Sequence, residues 1–276
     1  MDRRQRRRIV HWAATAACLA LAAVAMFPLF SVLAIVVERG APALSWAFLS
    51  GGPAPPMLPG GGIRHAIIGT GVVVGLGAAI GAPVGLLAGT YLAEVGRGRF
   101  ASGLRTVVES MAGIPSIVAG LFAYALVVTR IGYSAWAGAV ALAVIMVPIV
   151  TRTTEEALRT VPKSLRDGGL ALGSPQWHTT LLLVFPSAAG AVGTGLLLSV
   201  ARIAGETAPL LLTVLASSYV TTDPREPMAT LPYLIYDYGK SAYPKLNEQA
   251  WGAALVLLTM ILALNLVVRL VSRRRA

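Results

Sequence analysis

Two oppositely charged residues, Arg202 and Glu206, interrupt an otherwise apolar stretch of the chain. A charge at the bilayer centre costs about 2.5 to 3.5 kcal/mol on insertion scales, so such residues usually face a partner helix or a wet cavity. A spacing of four places both side chains on one helix face. With the adjacent Thr207, the pair is a candidate part of a path for a charged solute. A purely structural ion pair that holds helices together is the alternative.

Few other residues could support chemistry. The single cysteine, Cys18, excludes a disulfide within the chain, and the three histidines lie in different segments, which disfavours a metal site. The tripeptide Gly239-Lys240-Ser241 resembles the end of a phosphate-binding loop, but Leu234 occupies the position of that loop's first glycine. We therefore predict no catalytic residue, no metal site and no nucleotide-binding site in this chain.

Membrane helices must position the charged pair. The chain is 56% hydrophobic and 13% charged, with a mean hydropathy of +0.72. Apolar runs recur at the length that crosses a hydrocarbon core about 30 Å thick. We predict an all-α polytopic membrane protein with one domain over residues 1–276. Its first apolar stretch is too long for the core of a cleaved secretion signal, so we expect it to remain as a membrane helix. The six predicted spans are 13–37, 66–92, 108–129, 133–151, 187–214 and 250–271.

The basic residues predict the orientation of these spans, since loops rich in lysine and arginine remain in the cytoplasm. With a cytoplasmic N-terminus, sixteen of the 23 basic residues lie inside and six outside, and Arg202 lies within the membrane. The arginines between Arg3 and Arg8 and those from Arg273 to Arg275 contribute much of this difference. We predict that both termini are cytoplasmic. The net charge of +11 then reflects topology and contact with anionic lipid rather than nucleic-acid binding.

The second span carries a stripe of glycines at intervals of four, which predicts close packing against another helix. The stripe consists of Gly77, Gly81, Gly85 and Gly89.

Helix-breaking residues mark the third and fifth spans, where Pro115 and Pro209 are expected to bend the backbone. The segment 111–122 is rich in small residues and could line a cavity or simply pack.

Arg105 and Glu109, also four apart, stand near the start of the third span. We interpret this second pair as a topological and snorkelling feature without a role in transport.

The loop 152–186 is polar but carries leucines and Trp177, which a solvated loop does not need. Two short helices that meet at Gly173 would present these side chains to a groove on another protein. The alternative is an amphipathic segment on the membrane surface. With the same orientation, the loops 38–65 and 216–249 lie on the periplasmic side.

This loop resembles the signature of bacterial ABC importer permeases, in which Glu-Ala-Ala, three residues, Gly, nine residues and Ile-x-Leu-Pro follow one another. The chain has Asp167-Gly168-Gly169, then Gly173, then Leu183-Val184-Phe185-Pro186 at the same spacings. The resemblance implies the type I importer permease fold, in which this loop forms the coupling helix that docks on an ATPase subunit. The glycines in place of alanines predict a less rigid coupling helix.

Further segments resemble the permeases of phosphate-specific ABC importers, and among them the A type of the two permease subunits. These segments are 151–155, 171–177 and 201–211, and the last is the most specific. The resemblance covers the chain from about residue 60 and implies a multi-pass protein of the bacterial inner membrane. Its implied partners are a homologous C-type permease, two copies of an ATPase subunit, a periplasmic or lipid-anchored phosphate-binding protein, membrane lipid and inorganic phosphate. ATP and magnesium would be bound by the ATPase, and this chain would hold no cofactor.

In this setting, Arg202 would offer a fork of N–H donors to a dianionic oxyanion, and Glu206 would neutralise Arg202 when no anion is bound. Glu206 would also accept a hydrogen bond from a phosphate that keeps its proton, which sulfate cannot provide. Two alternatives stay open. A sulfate or molybdate permease would share the coupling loop but is expected to lack the Arg-Ile-Ala-Gly-Glu-Thr-Ala-Pro element. A phosphate-sensing or anchor subunit would not need Arg202.

Overall fold

A computed structural model describes residues 3–58 and 60–273, and the regular elements within them are all helical. Arg274 and Arg275, which contribute to the predicted orientation, lie outside the described residues. Three segments are π-helical: Tyr91–Val95, Tyr124–Val128 and Thr180–Val184. The α-helices are α1 (Arg3–Gly40), α2 (Trp46–Ser50), α3 (Arg64–Thr90), α4 (Gly98–Ala112), α5 (Ser116–Ala123), α6 (Thr129–Ile131), α7 (Ala135–Arg159), α8 (Lys163–Ala171), α9 (Gln176–Thr179), α10 (Phe185–Ala204), α11 (Ala208–Leu211), α12 (Leu231–Gly239) and α13 (Pro244–Arg273).

Five helical runs in the described part of the chain are long and apolar enough to cross a membrane, and a bent pair of helices adds a sixth crossing if it counts as one span. The bent pair consists of Gly98–Ala112 and Ser116–Ile131. The five runs are Arg3–Ala43, Arg64–Val95, Ala135–Arg159, Gln176–Ala204 and Pro244–Val267.

The third span, predicted over 108–129 with a bend at Pro115, consists of two helical runs, and the axes of α4 and of the run Ser116–Ile131 meet at 103°. Pro115 causes this break: its backbone is extended, with φ −57° and ψ 134°. Proline lacks an N–H and disfavours the helical conformation of the preceding residue, so α4 ends before Pro115 and a new helix begins after it.

The fifth span differs from its prediction over 187–214, since α10 ends at Ala204. The amides of Gly205 and Glu206 donate to the carbonyls of Arg202 and Ile203 at 3.2 and 3.3 Å, which tightens the final turn. The chain then forms the short helix α11, in which Pro209 stands near the N-terminus, where its missing N–H is tolerated. Glu206 therefore follows the helix of Arg202 instead of lying on it.

The centre of the fold is the pair α3 and α7, which are packed closely along the glycine stripe. A Cβ added at Gly85 would lie 2.6 Å from the Val150 Cβ, and one at Gly89 would lie 2.5 Å from the Thr151 carbonyl oxygen. A Cβ added at Gly77 would lie 3.0 Å from the Leu142 Cβ of α7, and one at Gly81 would lie 3.1 Å from the Met146 Cβ. A side chain larger than hydrogen would thus push the two helices apart.

The two ends of the α3–α7 pair carry different structures. At one end, α12 packs on α3, and the buried Thr70 hydroxyl accepts a hydrogen bond of 2.8 Å from the Leu231 amide. At the other end lie α8 and α9, which belong to the loop 152–186. We call the end that carries α8 and α9 the coupling end. The Arg202 region lies between the two ends of the α3–α7 pair.

Candidate functional site

Arg202 lines a cavity of about 460 Å³ near the middle of α7. The break between α4 and α5 forms one wall of this cavity. The sequence left two interpretations of the segment 111–122, cavity lining or packing, and the structure shows that this segment contributes cavity-lining residues. The Ser116 hydroxyl group is the other polar side chain of the lining. The remaining lining residues are Met111, Ala112, Ile114, Pro115, Ala119, Val144, Ile145 and Ile149.

The contact between Arg202 and Glu206 is loose. The Arg202 Nη2 atom lies 3.6 Å from Glu206 Oε1, which is beyond hydrogen-bond length. The Arg202 side chain is 63% exposed, whereas that of Glu206 is 15% exposed. Within the described residues this is the only ionic contact of Arg202, so its guanidinium N–H groups remain available to an anion in the cavity.

The three residues predicted for the path occupy different positions. Among the described residues, Arg202 lines the cavity, whereas Glu206 and Thr207 are half-buried beside it and do not line it. Thr207 precedes α11, and its carbonyl accepts from the amides of Leu210 and Leu211 at 3.1 and 3.2 Å. The break after Ala204 therefore separates an accessible cation from its more buried counter-ion.

The coupling loop contains two short helices, α8 and α9, that flank Gly173. Gly173 has a positive φ of 79°, and the chain leaves α8 in a Schellman motif. In this motif the Ser174 amide donates to the Gly169 carbonyl at 3.2 Å and the Gly173 amide to the Leu170 carbonyl at 2.9 Å. A residue with a Cβ would be strained at Gly173, so this glycine sets the direction in which α9 leaves α8.

The other residues matched to the permease signature divide into packed and exposed positions. A Cβ on Gly169 would lie 2.7 Å from Thr179 Cγ2, so this glycine permits close packing, whereas Gly168 faces open space. Asp167 is exposed, and Pro186 is exposed in the first turn of α10.

Three large apolar side chains on the two short helices and their connection are exposed, and we call them together the coupling surface: Leu170, Leu172 and Trp177. Leu172 is 90% exposed. Leu165, in contrast, is half-buried against the core of α7 and α10. Exposed apolar groups of this size mark a site that another molecule covers.

Two ion pairs at the coupling end were not predicted from the sequence. Arg105 does not use Glu109; its Nε donates to Glu155 Oε1 at 2.9 Å, because α7 passes beside α4. Arg166 binds Glu94, which lies 72 residues earlier in the chain. Local spacing carries no signal for partners so distant in sequence.

Arg166 is the most strongly held cation of this end. It donates to both oxygens of Glu94, at 2.6 Å to Oε1 and 3.0 Å to Oε2. The hydrogen bond to Glu94 raises the pKa of Arg166 above its usual value. Arginine is charged at every physiological pH, and this hydrogen bond favours the charged form further.

The described residues contain no group of three or more histidine, cysteine, aspartate or glutamate side chains arranged to hold a metal ion. The site consists of one accessible cation, a loosely placed carboxylate and an apolar wall.

A family model described as "Binding-protein-dependent transport system inner membrane component" matches residues 81–276. The matched region includes the Arg202 cavity and the whole coupling loop.

Two relatives are similar to this chain over nearly their whole length. The phosphate transport system permease protein PstA of Haemophilus influenzae is 43% identical over 90% of this chain and 88% of its own. The protein of the same name from Yersinia pestis is 38% identical over 99% of this chain and 92% of its own.

The fold is similar to that of a solved importer. A chain of a bacterial alginate ABC transporter, crystallised in complex with an alginate pentasaccharide-bound periplasmic protein, has a TM-score of 0.72. It covers 99% of this chain and 98% of its own, at 14% sequence identity. At this identity the likeness concerns the fold alone. It is the fold of an ABC importer permease, and helices are found where the sequence predicts the membrane spans.

Proposed function

The chain belongs to the family of binding-protein-dependent transport system inner membrane components, and on this premise we propose that it is a permease subunit of an ATP-driven phosphate importer. Both relatives, at 43% and 38% identity, are named as permease proteins of a phosphate transport system. The chain is a transport component and not an enzyme, so the chemistry of ATP belongs to a partner.

The observation that carries the proposal is the accessible guanidinium of Arg202 in a cavity at mid-helix depth. A cation at this depth is costly, and Arg202 has only the loose 3.6 Å contact with Glu206 to offset that cost, which points to a role in a solute pathway. Its planar fork of N–H groups matches two oxygens of a phosphate, and the apolar wall of Val144, Ile145 and Ile149 strengthens that contact by lowering the local dielectric.

Glu206 limits how tightly the anion is held. Its carboxylate approaches Arg202 to 3.6 Å without hydrogen bonding to it, so it can neutralise the empty site and still give way to an anion. It would also repel a fully deprotonated anion and accept a hydrogen bond from the P–OH group of hydrogen phosphate, which keeps its proton. We infer that this carboxylate contributes to the preference for phosphate over sulfate.

The remaining partners follow from the two ends of the molecule. We propose that the coupling surface docks into an ATPase subunit, which binds ATP and magnesium, and that two copies of that subunit serve this chain and a homologous second permease. The opposite end would receive a phosphate-loaded binding protein. The subunit would lie in the inner membrane with both termini in the cytoplasm.

The test is uptake of labelled phosphate at micromolar concentration by cells that express the three partner components with or without this chain. We expect ATP-dependent uptake only when the chain is present, and no competition from sulfate or molybdate. Uptake of sulfate or molybdate in place of phosphate would contradict the assignment.

A further inference from the structure

The π-helical segment Tyr91–Val95, which ends the α3 span, receives side chains from three separate elements of the coupling end. Gln176 Nε2 of α9 donates to the Glu94 carbonyl at 2.7 Å. Arg166 of α8 binds the Glu94 carboxylate, and Arg105 of α4 donates to the Leu92 carbonyl at 2.9 Å. We call this segment the joint.

The contact of the joint with α8 is strong. The Glu94 side chain is only 4% exposed, and its two oxygens are bound by the guanidinium of Arg166. The same guanidinium donates to the carbonyls of Leu158 and Val161, at 2.7 and 2.5 Å, where α7 ends. A buried carboxylate without its partner is costly, so α8 remains attached to the joint while other contacts change.

The contact of the joint with α4 is formed by Arg105. Besides the Leu92 carbonyl, Arg105 binds Glu155, and Arg159 binds the same Glu155 oxygen at 2.7 Å. The Glu155 side chain is 12% exposed, so this cluster fixes α4 to α7 as well as to the joint. Two turns later, α4 ends in the break at Pro115 that forms a wall of the Arg202 cavity.

We infer that the joint transmits movement of the coupling loop to the wall of the Arg202 cavity, with Glu94, Gln176 and Arg105 as its positioning residues. This inference rests on the proposed function. The contacts form a continuous series. Side chains of α8 and α9 bind the joint, the joint binds Arg105 of α4, and α4 ends at the break beside Arg202. A π-helical turn suits this role because it can tighten to an α-helical turn, which shifts the attached groups relative to α3.

The test measures phosphate transport and ATP hydrolysis together, in proteoliposomes that contain the whole transporter. We compare the wild type with Glu94→Gln, with Gln176→Ala and with the control Glu109→Gln, an exposed glutamate of α4 that has no ionic or hydrogen-bonded partner in the described structure. In Glu94→Gln, phosphate carried per ATP hydrolysed is expected to fall at least about fivefold, the lower range of coupling between sites. Gln176→Ala is expected to change the ratio in the same direction, and the control is expected to keep the wild-type ratio.

A ratio that stays at the wild-type value in both variants overturns the inference, even if both rates fall, because parallel losses indicate a purely structural role. Gln176 is exposed, so its variant tests the joint even if Glu94→Gln does not assemble.

A second measurement is independent of the transported ion. In a Cys18→Ser background with cysteine-free partners, the rate at which a water-soluble thiol reagent modifies Ile114→Cys reports the cavity wall. We expect ATP to change this rate when Glu94 is present and to leave it unchanged when Glu94→Gln is added to the same background. An equal response in both proteins would contradict the inference that the joint transmits the movement. A wild type that shows the ATP response but carries no phosphate would instead refute the proposed function alone.

Discussion

Arg202 and Arg166 show how the same side chain serves two purposes at two sites. Arg166 satisfies its donors with a buried carboxylate and two helix-end carbonyls, all between 2.5 and 3.2 Å. Arg202 has only the 3.6 Å contact with Glu206 among the described residues. A cation that is satisfied by the protein stabilises the fold, whereas one that is left available can bind a solute.

The role of Glu206 can be tested by Glu206→Gln, which keeps the size of the side chain and removes its charge. Because the repulsion of fully deprotonated anions would disappear, we expect sulfate to compete with labelled phosphate in the variant but not in the wild type. Competition is measured in uptake assays at increasing sulfate concentration. Unchanged uptake together with unchanged sulfate rejection would show that Glu206 takes no part in selectivity.

At the scale of the helices, the α3–α7 contact depends on the glycine stripe. Gly85→Ala would place a Cβ 2.6 Å from the Val150 Cβ, so we expect a loss of about 1 to 3 kcal/mol of stability, as for other overpacked positions. Gly75→Ala is the matched control, since its Cβ would meet no atom within 4 Å. Thermal unfolding of the two purified variants in detergent measures the difference. Equal midpoints would contradict the packing role of the stripe.

The coupling loop offers a second matched pair of glycines. Gly173→Ala is expected to weaken the end of α8 by about 1 kcal/mol, because alanine is strained at its positive φ. Gly168→Ala is expected to stabilise α8 by a similar amount, since alanine favours a helix and its Cβ meets open space. Hydrogen exchange of the α8 amides distinguishes them: protection should fall in the first variant and rise in the second. A change of the same sign in both would be inconsistent with this assignment.

How far the sequence predicts these elements depends on whether the signal is local. The glycine stripe, Gly173 and the breaking effect of Pro115 depend on conformational preferences within a few residues, and these were readable in advance. The 103° angle at Pro115 and the end of α10 at Ala204 were not, because α4, α5 and α10 all pack against α7, which lies far from some of them in the sequence. The pairs Arg105–Glu155 and Arg166–Glu94 join residues 50 and 72 positions apart, a distance at which one sequence carries no pairing signal.

At the scale of the whole molecule, the orientation predicted from the basic residues can be tested by labelling. In a Cys18→Ser background, we expect Met57→Cys to react with a membrane-impermeant thiol reagent added outside spheroplasts, and Leu172→Cys to react only after the membrane is opened. Both positions are more than 80% exposed in the structure, so the side of the membrane decides the result. The reverse pattern would place the coupling surface outside and exclude an ATPase partner there.

Uptake of labelled phosphate by an Arg202→Ala transporter decides whether Arg202 binds the transported anion. The control is Arg130→Ala, an exposed arginine at the end of α6 that has no ionic or hydrogen-bonded partner within the described residues. We expect the Arg202 variant to assemble with its partners but to lose ATP-dependent uptake, while the Arg130 variant transports like the wild type. Wild-type uptake by a fully assembled Arg202→Ala transporter would contradict the claim and leave Arg202 as a structural ion-pair residue.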